Sequence, residues 1–123
     1  MPGQHDSLSE RLSRSREIHL SVSGRKSGRT ITIPVWFASD GEKLYLLPVQ
    51  GSDTQWYKNV QKNPTIQVQA GSTKAELKAV PITKAAEVLP VTEKFRAKYG
   101  AGDVKKYYSK LDVAVEAKLQ KAR

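Results

Sequence analysis

The sequence has no cysteine and only two histidines, His5 and His19. Without cysteine there is no disulfide, thiolate nucleophile or cysteine-based metal centre, and the chain suits a reducing compartment. His5 falls in a polar N-terminal tail and His19 on the outward face of an alternating segment. Neither joins a metal-spaced cluster or completes a Ser-His-acid triad, and no metal site is expected. Acidic residues number 12 against 21 lysines and arginines and are scattered singly, so a catalytic carboxylate pair is not indicated. No run approaches the roughly 18 apolar residues that span a bilayer, and Met1 to Arg16 lacks the apolar stretch of a secretory signal. The expectation is a cytoplasmic protein with no transmembrane segment. An enzyme of this composition would take its chemistry from a bound organic cofactor.

What is present is a 123-residue chain with net charge +9. The length fits one domain with a real hydrophobic core. The charge favours an anionic partner: nucleic acid, an anionic membrane surface, or a phosphorylated or carboxylated small molecule. A nucleic-acid module is disfavoured. The basic residues Arg11, Arg14, Arg16, Arg25, Lys26 and Arg29 form no recognition motif, and the aromatics do not interleave with them as a stacking platform would.

Residues 1–16 read as a flexible or helical segment, with Ser7 and Glu10 in capping-box spacing, and residues 17–123 as the folded domain. Ile18, Leu20 and Val22 alternate with polar neighbours, as do Ile31, Ile33, Val35 and Phe37. Asp40-Gly41 marks a hairpin into Leu44–Val49. Ser52 is placed to cap a helix containing Trp56, Tyr57 and Val60, which ends at Asn63-Pro64. Thr65–Ala70 and Lys74–Ile82 form a second hairpin around Gly71-Ser72. Thr83 is placed to cap a helix reaching Tyr99, divided or kinked at Pro90 and stopped by Gly100. Asp103 caps a short helix holding Tyr107 and Tyr108, and Val113, Val115, Ala117 and Leu119 alternate in a closing strand. The order β-β-β-α-β-β-α-α-β predicts a mainly β fold with peripheral helices, a six-stranded antiparallel barrel.

Three features are candidates for chemistry. In Gly24-Arg25-Lys26-Ser27-Gly28-Arg29, glycines permit a tight turn, while arginine, lysine and serine suit a phosphate or carboxylate. An exposed basic hairpin is the competing reading. Gln50-Gly51-Ser52 precedes a helix, whose N-terminus offers free N–H groups to an anion. Trp36, Trp56, Tyr57, Tyr107 and Tyr108 form the aromatic set; Trp36 faces opposite Ile33 and Val35, so part of the set lies outside the main core.

At these segments the chain resembles a known family. The basic turn at 24–29, Ile33-Pro34-Val35-Trp36-Phe37, Asp40-Gly41, Leu44-Tyr45-Leu46, Trp56-Tyr57-Lys58-Asn59-Val60 and Asn63-Pro64 occur in the order seen in deazaflavin (F420)-dependent nitroreductases and quinone reductases. That family belongs to the split β-barrel flavin-binding group, which includes pyridoxamine-phosphate oxidase. The resemblance spans about residues 18–80. It implies a six-stranded split barrel, a homodimer, and coenzyme F420 in a surface groove, with FMN as the alternative cofactor. It further implies that Arg25, Lys26, Ser27 and Gly28 hold phosphate or tail carboxylates, and that Pro34, Val35 and Trp36 line the ring. Gln50, Gly51 and Ser52 would lie near the phosphate, Trp56, Tyr57 and Asn59 beside the groove, and Tyr107 and Tyr108 on the side of a small-molecule electron acceptor. Tyr107 and Tyr108 are the candidate catalytic residues, as donors of a proton to the acceptor, with solvent the alternative donor. The chain departs from the family where members often carry a lysine and two glycines, here Gln50-Gly51-Ser52. It departs again where a His-Pro pair often precedes the tryptophan, here Thr54-Gln55. A carrier or sensor using the same groove is the second functional reading.

Overall fold

Alternation along the chain decides which strands see water on one face and which see none. The computed structural model describes residues 11–12, 15–40 and 42–119. The strands are β1 (Ile18–Ser23), β2 (Thr30–Val35), β3 (Ala38–Ser39), β4 (Lys43–Leu46), β5 (Thr65–Ala70), β6 (Thr73–Ile82) and β7 (Ala114–Lys118). They form one antiparallel sheet in the order β2-β1-β5-β6-β7-β4-β3, curled into a split half-barrel. The helices are α1 (Gln55–Lys62), α2 (Ala85–Tyr99) and α3 (Ala101–Tyr107); none is long and apolar enough to cross a membrane.

In β1 and β5 the apolar residues Ile18, Leu20, Val22, Ile66 and Val68 are all buried, while His19, Thr65 and Gln67 between them are exposed. Their register is Leu20 opposite Val68, so both point into the barrel. There they meet Leu44, Leu46, Leu77, Val115 and Ala117 and are capped by Trp56, Tyr57 and Val60 of α1. Each such aliphatic side chain contributes about 1.5–3 kcal/mol on burial. A second cluster lies outside the barrel wall. Val88, Val91, Phe95, Tyr99, Val104 and Tyr108 of the helical segment pack on Tyr45, Leu47 and Ala114. The β4–β7 half is therefore buried on both faces, which is why Leu44 to Leu47 is an unbroken apolar run rather than an alternating one.

Several local expectations are corrected. The sheet has seven strands, because the expected strand at 31–37 breaks after Val35 and restarts at Ala38, where it leaves β1 and pairs with β4. β2 is an edge strand, so Ile31 is 41% exposed and Ile33 and Val35 only partly covered. Ser52 and Thr83 do not cap helices: Thr54 and Lys84 hold those positions without side-chain cap bonds. Gly51–Asp53 instead form a single 3₁₀ turn ahead of α1. Helix α2 runs unbroken through Pro90; the carbonyl left without a donor belongs to Ala86, which is exposed and available to water. Asp103 lies in the first turn of α3, whose N-cap is Gly100. Arg11 and Leu12 are helical; the rest of the expected segment at Ser7–Glu10 lies outside the described residues.

Candidate functional site

A groove of about 380 Å³ opens where β2, the residues after β4, α1 and the end of α3 converge. Its floor and walls are Ile33, Pro34, Val35 and Trp36 from the β2 edge, Leu47 and Val49 after β4, Trp56 of α1, and Tyr107 and Tyr108. Among the described residues, Glu17 is the only charged group on the lining. The edge position of β2 is what makes this possible, since apolar side chains that would be core in a central strand here line an open cleft.

The Trp36 ring is held on three sides. Tyr99 stacks beneath it, with centroids 4.2 Å apart and planes 8° from parallel. Tyr107 meets it edge-on at 5.6 Å, and Tyr108 lies tilted at 6.1 Å. Such pairs add about 0.5–1.5 kcal/mol beyond burial. Tyr107 is 52% exposed while Tyr108 is 6% exposed. Burial, with Tyr99 nearby, pushes the Tyr108 phenol far above its ordinary pKa, so Tyr108 keeps its proton at neutral pH and serves as a wall.

The basic turn joins β1 to β2 and packs on α1, the helix that carries Trp56. It is closed by Gly24 N–H to the Arg29 carbonyl at 2.8 Å and Gly28 N–H to the Gly24 carbonyl at 2.9 Å. Gly28 has φ +73°, a backbone region that favours glycine. Arg25 points onto α1: Nη1 donates to Asn59 Oδ1 at 2.8 Å and Nη2 to Gln55 Oε1 at 2.7 Å. The Arg25 backbone N–H also donates to Asn59 Oδ1, at 3.1 Å. Buried Asn59 is thus spent on the turn and Arg25 on the helix. Lys26, Ser27, Gly28 and Arg29 are exposed, and the Ser27 hydroxyl accepts the Arg29 N–H at 3.1 Å.

Of the residues singled out from sequence, Pro34, Val35, Trp36, Trp56, Tyr107 and Tyr108 come together on the groove. Tyr57 is 1% exposed in the barrel core. Gln50, Gly51 and Ser52 form the turn beside Val49, where the Ser52 N–H and hydroxyl both meet Asp112. Sequence reasoning missed Glu17, Leu47, Val49 and the supporting Tyr99. Only Leu47 and Val49 had a signal, as the tail of an apolar run that outruns its strand.

A curled antiparallel half-barrel bearing an aromatic groove on its β2 edge defines the class of split-barrel proteins related in fold to pyridoxamine 5′-phosphate oxidase. A structure of an F420-H2-dependent reductase superposes with a TM-score of 0.67 at 20% identity, over 83% of this chain and 93% of that one. A domain-swapped dimer matches with TM-score 0.67 at 20% identity, over 83% of this chain and 79% of that one. A Listeria innocua protein designated a pyridoxamine 5′-phosphate oxidase matches with TM-score 0.66 at 14% identity, over 92% and 90%. No functionally curated protein matches the sequence. The profile of the F420H2-dependent quinone reductases covers residues 4–118, and the chain belongs to that family.

Proposed function

We propose that the groove binds the ring of reduced coenzyme F420, with FMN the alternative occupant, and that the protein is a reductase of quinones, nitro compounds or other conjugated acceptors. The observation that carries this reading is the lining: mostly apolar and aromatic, with Trp36 clamped parallel to Tyr99 and Glu17 its one charged member among the described residues. A planar ring fits such walls, and an anionic tail reaching past α1 would meet the exposed Lys26 and Arg29 of the basic turn that packs on that helix. The bound reduced ring supplies the hydride.

The chain's own residues orient and shield. Pro34, Val35 and Trp36 present a rigid apolar face and exclude water from it. Gln55 and Asn59 hold the turn through Arg25, so that Lys26 and Arg29 meet an anion from a fixed base. Tyr107, exposed and edge-on to Trp36, borders the acceptor side, and its hydroxyl or solvent supplies the proton that completes acceptor reduction. A homodimer is the proposed assembly, in keeping with the dimeric fold neighbour.

The test is a titration of the purified protein with F420 and with FMN, read by tryptophan fluorescence, followed by turnover of menadione with the cofactor that binds. Saturable quenching by one cofactor and its reoxidation by menadione support the reading. Binding of neither overturns it, and binding without turnover replaces the reductase with a carrier.

A further inference from the structure

The segment that follows the two groove tyrosines is fastened to Val49 and the turn after it, and one carboxylate, that of Asp112, takes both bonds from Ser52. Asp112 Oδ1 accepts the Ser52 backbone N–H at 2.9 Å, and Oδ2 accepts the Ser52 hydroxyl at 2.6 Å. Lys110 Nζ lies 3.2 Å from Asp53 Oδ2 and 3.7 Å from Asp112 Oδ2. Closer to the groove, the Ser109 N–H donates to the Val49 carbonyl at 2.9 Å. Gly51 has φ +57°, and a Cβ there would collide with Asp112 Oδ1, so this turn admits the carboxylate only because residue 51 is glycine.

These contacts join two parts of one wall. Val49 lines the groove on one side of the fastening, and Tyr107 and Tyr108 line it on the other. Helix α3, which carries the tyrosines, is a seven-residue element with only Val104 buried. Its own packing is too slight to fix the exposed Tyr107 ring against Trp36. Burial alone would raise the Asp112 pKa, but the Ser52 hydroxyl and N–H and the Lys110 ammonium outweigh it and leave the carboxyl below its ordinary value. The carboxylate therefore stays charged, and its hydrogen bonds charge-assisted, throughout the neutral range.

We infer that Asp112 is a positioning residue: its carboxylate latches residues 108–112 to the 49–53 turn and so sets Tyr107 and Tyr108 against Trp36, shaping the acceptor side of the groove. The acceptor part rests on the reductase reading; the latch itself does not.

The experiment compares wild type with Asp112→Ala, Asp112→Asn and Ser52→Ala. Hydrogen exchange is read first, without cofactor. In Asp112→Ala the amides of Tyr108 and Ser109 exchange about tenfold faster or more, while those of Leu20 and Val68 in the barrel keep their rates. Asp112→Asn, which can still accept the Ser52 N–H, and Ser52→Ala, which keeps that N–H, give smaller increases and serve should the alanine variant not fold. Turnover is read second: the KM for menadione rises about tenfold while kcat and cofactor affinity stay within about twofold. Unchanged exchange at Tyr108 and Ser109 overturns the latch. Equal acceleration in the barrel reduces Asp112 to a general stabiliser and also overturns it. A wild type that binds no cofactor sinks the reductase reading while the exchange result still decides the latch, and altered exchange with an unmoved KM removes its role at the acceptor.

Discussion

Trp36 and Tyr99 stack face to face, and the same Tyr99 holds the backbone that follows Trp36. Its hydroxyl accepts the Phe37 N–H at 3.2 Å and lies 2.6 Å from the Arg16 carbonyl and 3.0 Å from the Phe37 carbonyl. One side chain on α2 therefore fixes both the groove's central ring and the crossing between β2 and β3.

Replacing Tyr99 by Phe separates these two jobs. The stack survives, but the buried Phe37 N–H loses its acceptor, at a cost of about 1–3 kcal/mol. Urea unfolding should register that loss with groove binding nearly unchanged. Tyr99→Ala removes the ring as well and should cost about 3–5 kcal/mol, with weaker quenching of tryptophan by the ligand. Equal stability of the Phe and Ala variants would show that the stack contributes nothing.

The three cations of the basic turn should part company under mutation. Arg25→Ala removes the guanidinium bonds to Asn59 and Gln55 while the backbone N–H still reaches Asn59 Oδ1, and should lower stability by about 0.5–1.5 kcal/mol. Among the described residues, the side chains of Lys26 and Arg29 are exposed and hold no partner that the fold requires. Lys26→Ala and Arg29→Ala should each leave the thermal midpoint in place and weaken cofactor binding about tenfold, or ~1.4 kcal/mol, with the effect shrinking as salt is added. Full affinity in the double variant Lys26→Ala/Arg29→Ala would remove the turn from the site.

Lys98 predicts a pH dependence. Its ammonium donates to the Phe37 carbonyl at 3.1 Å and sits 3.4 Å from the centre of the Phe37 ring. Burial, reinforced by Arg16, lowers its pKa from 10.5 to about 8. The folded state then holds fewer protons than the unfolded state between those two values, so stability rises with pH across that window. The penalty is fully present below it. The raised phenol of Tyr99 acts in the opposite sense once pH passes its ordinary value of 10.0, so the useful interval is about pH 7 to pH 9.5. Urea midpoints of wild type should climb there, and those of Lys98→Met should climb less. Parallel slopes would show that Lys98 is not the titrating group.

Pro90 offers a gain of stability. Helix α2 is continuous through it, and the residue is exposed. Pro90→Ala restores an N–H for the Ala86 carbonyl and better helix propensity, worth up to about 3 kcal/mol. Calorimetry should show a higher midpoint; a lower one would mean that the proline ring packs usefully on its neighbours.

Much of the sheet was legible because its signals are local. Alternation in Ile18–Val22, Thr65–Ala70 and Val113–Leu119 identified inward faces, and Asp40-Gly41 and Gly71-Ser72 marked turns. Trp36 was expected to face away from Ile33 and Val35, but β2 ends at Val35 and all three line the same groove. Other features join residues far apart in sequence and have no local signature. Arg25 is a cation in a glycine-rich turn whether it meets a phosphate or Asn59. Ser52 fits the pattern of a helix cap, and only the fold brings Asp112 to its hydroxyl and N–H. The break after Val35 escaped because periodicity cannot tell one strand of seven residues from two strands that pair with different neighbours.

The edge position of β2 has a consequence for how the molecule behaves in a crowded solution. Among the described residues the half-barrel ends in two margins, β2 and β3, and either could recruit a strand from another molecule. One margin is β3, only two residues long, which gives an incoming strand almost nothing to pair with. The other is β2, where Pro34 carries no N–H to donate. The same proline that lines the groove thus blunts the sheet against runaway self-association. Replacing it to widen the cleft would trade solubility for room.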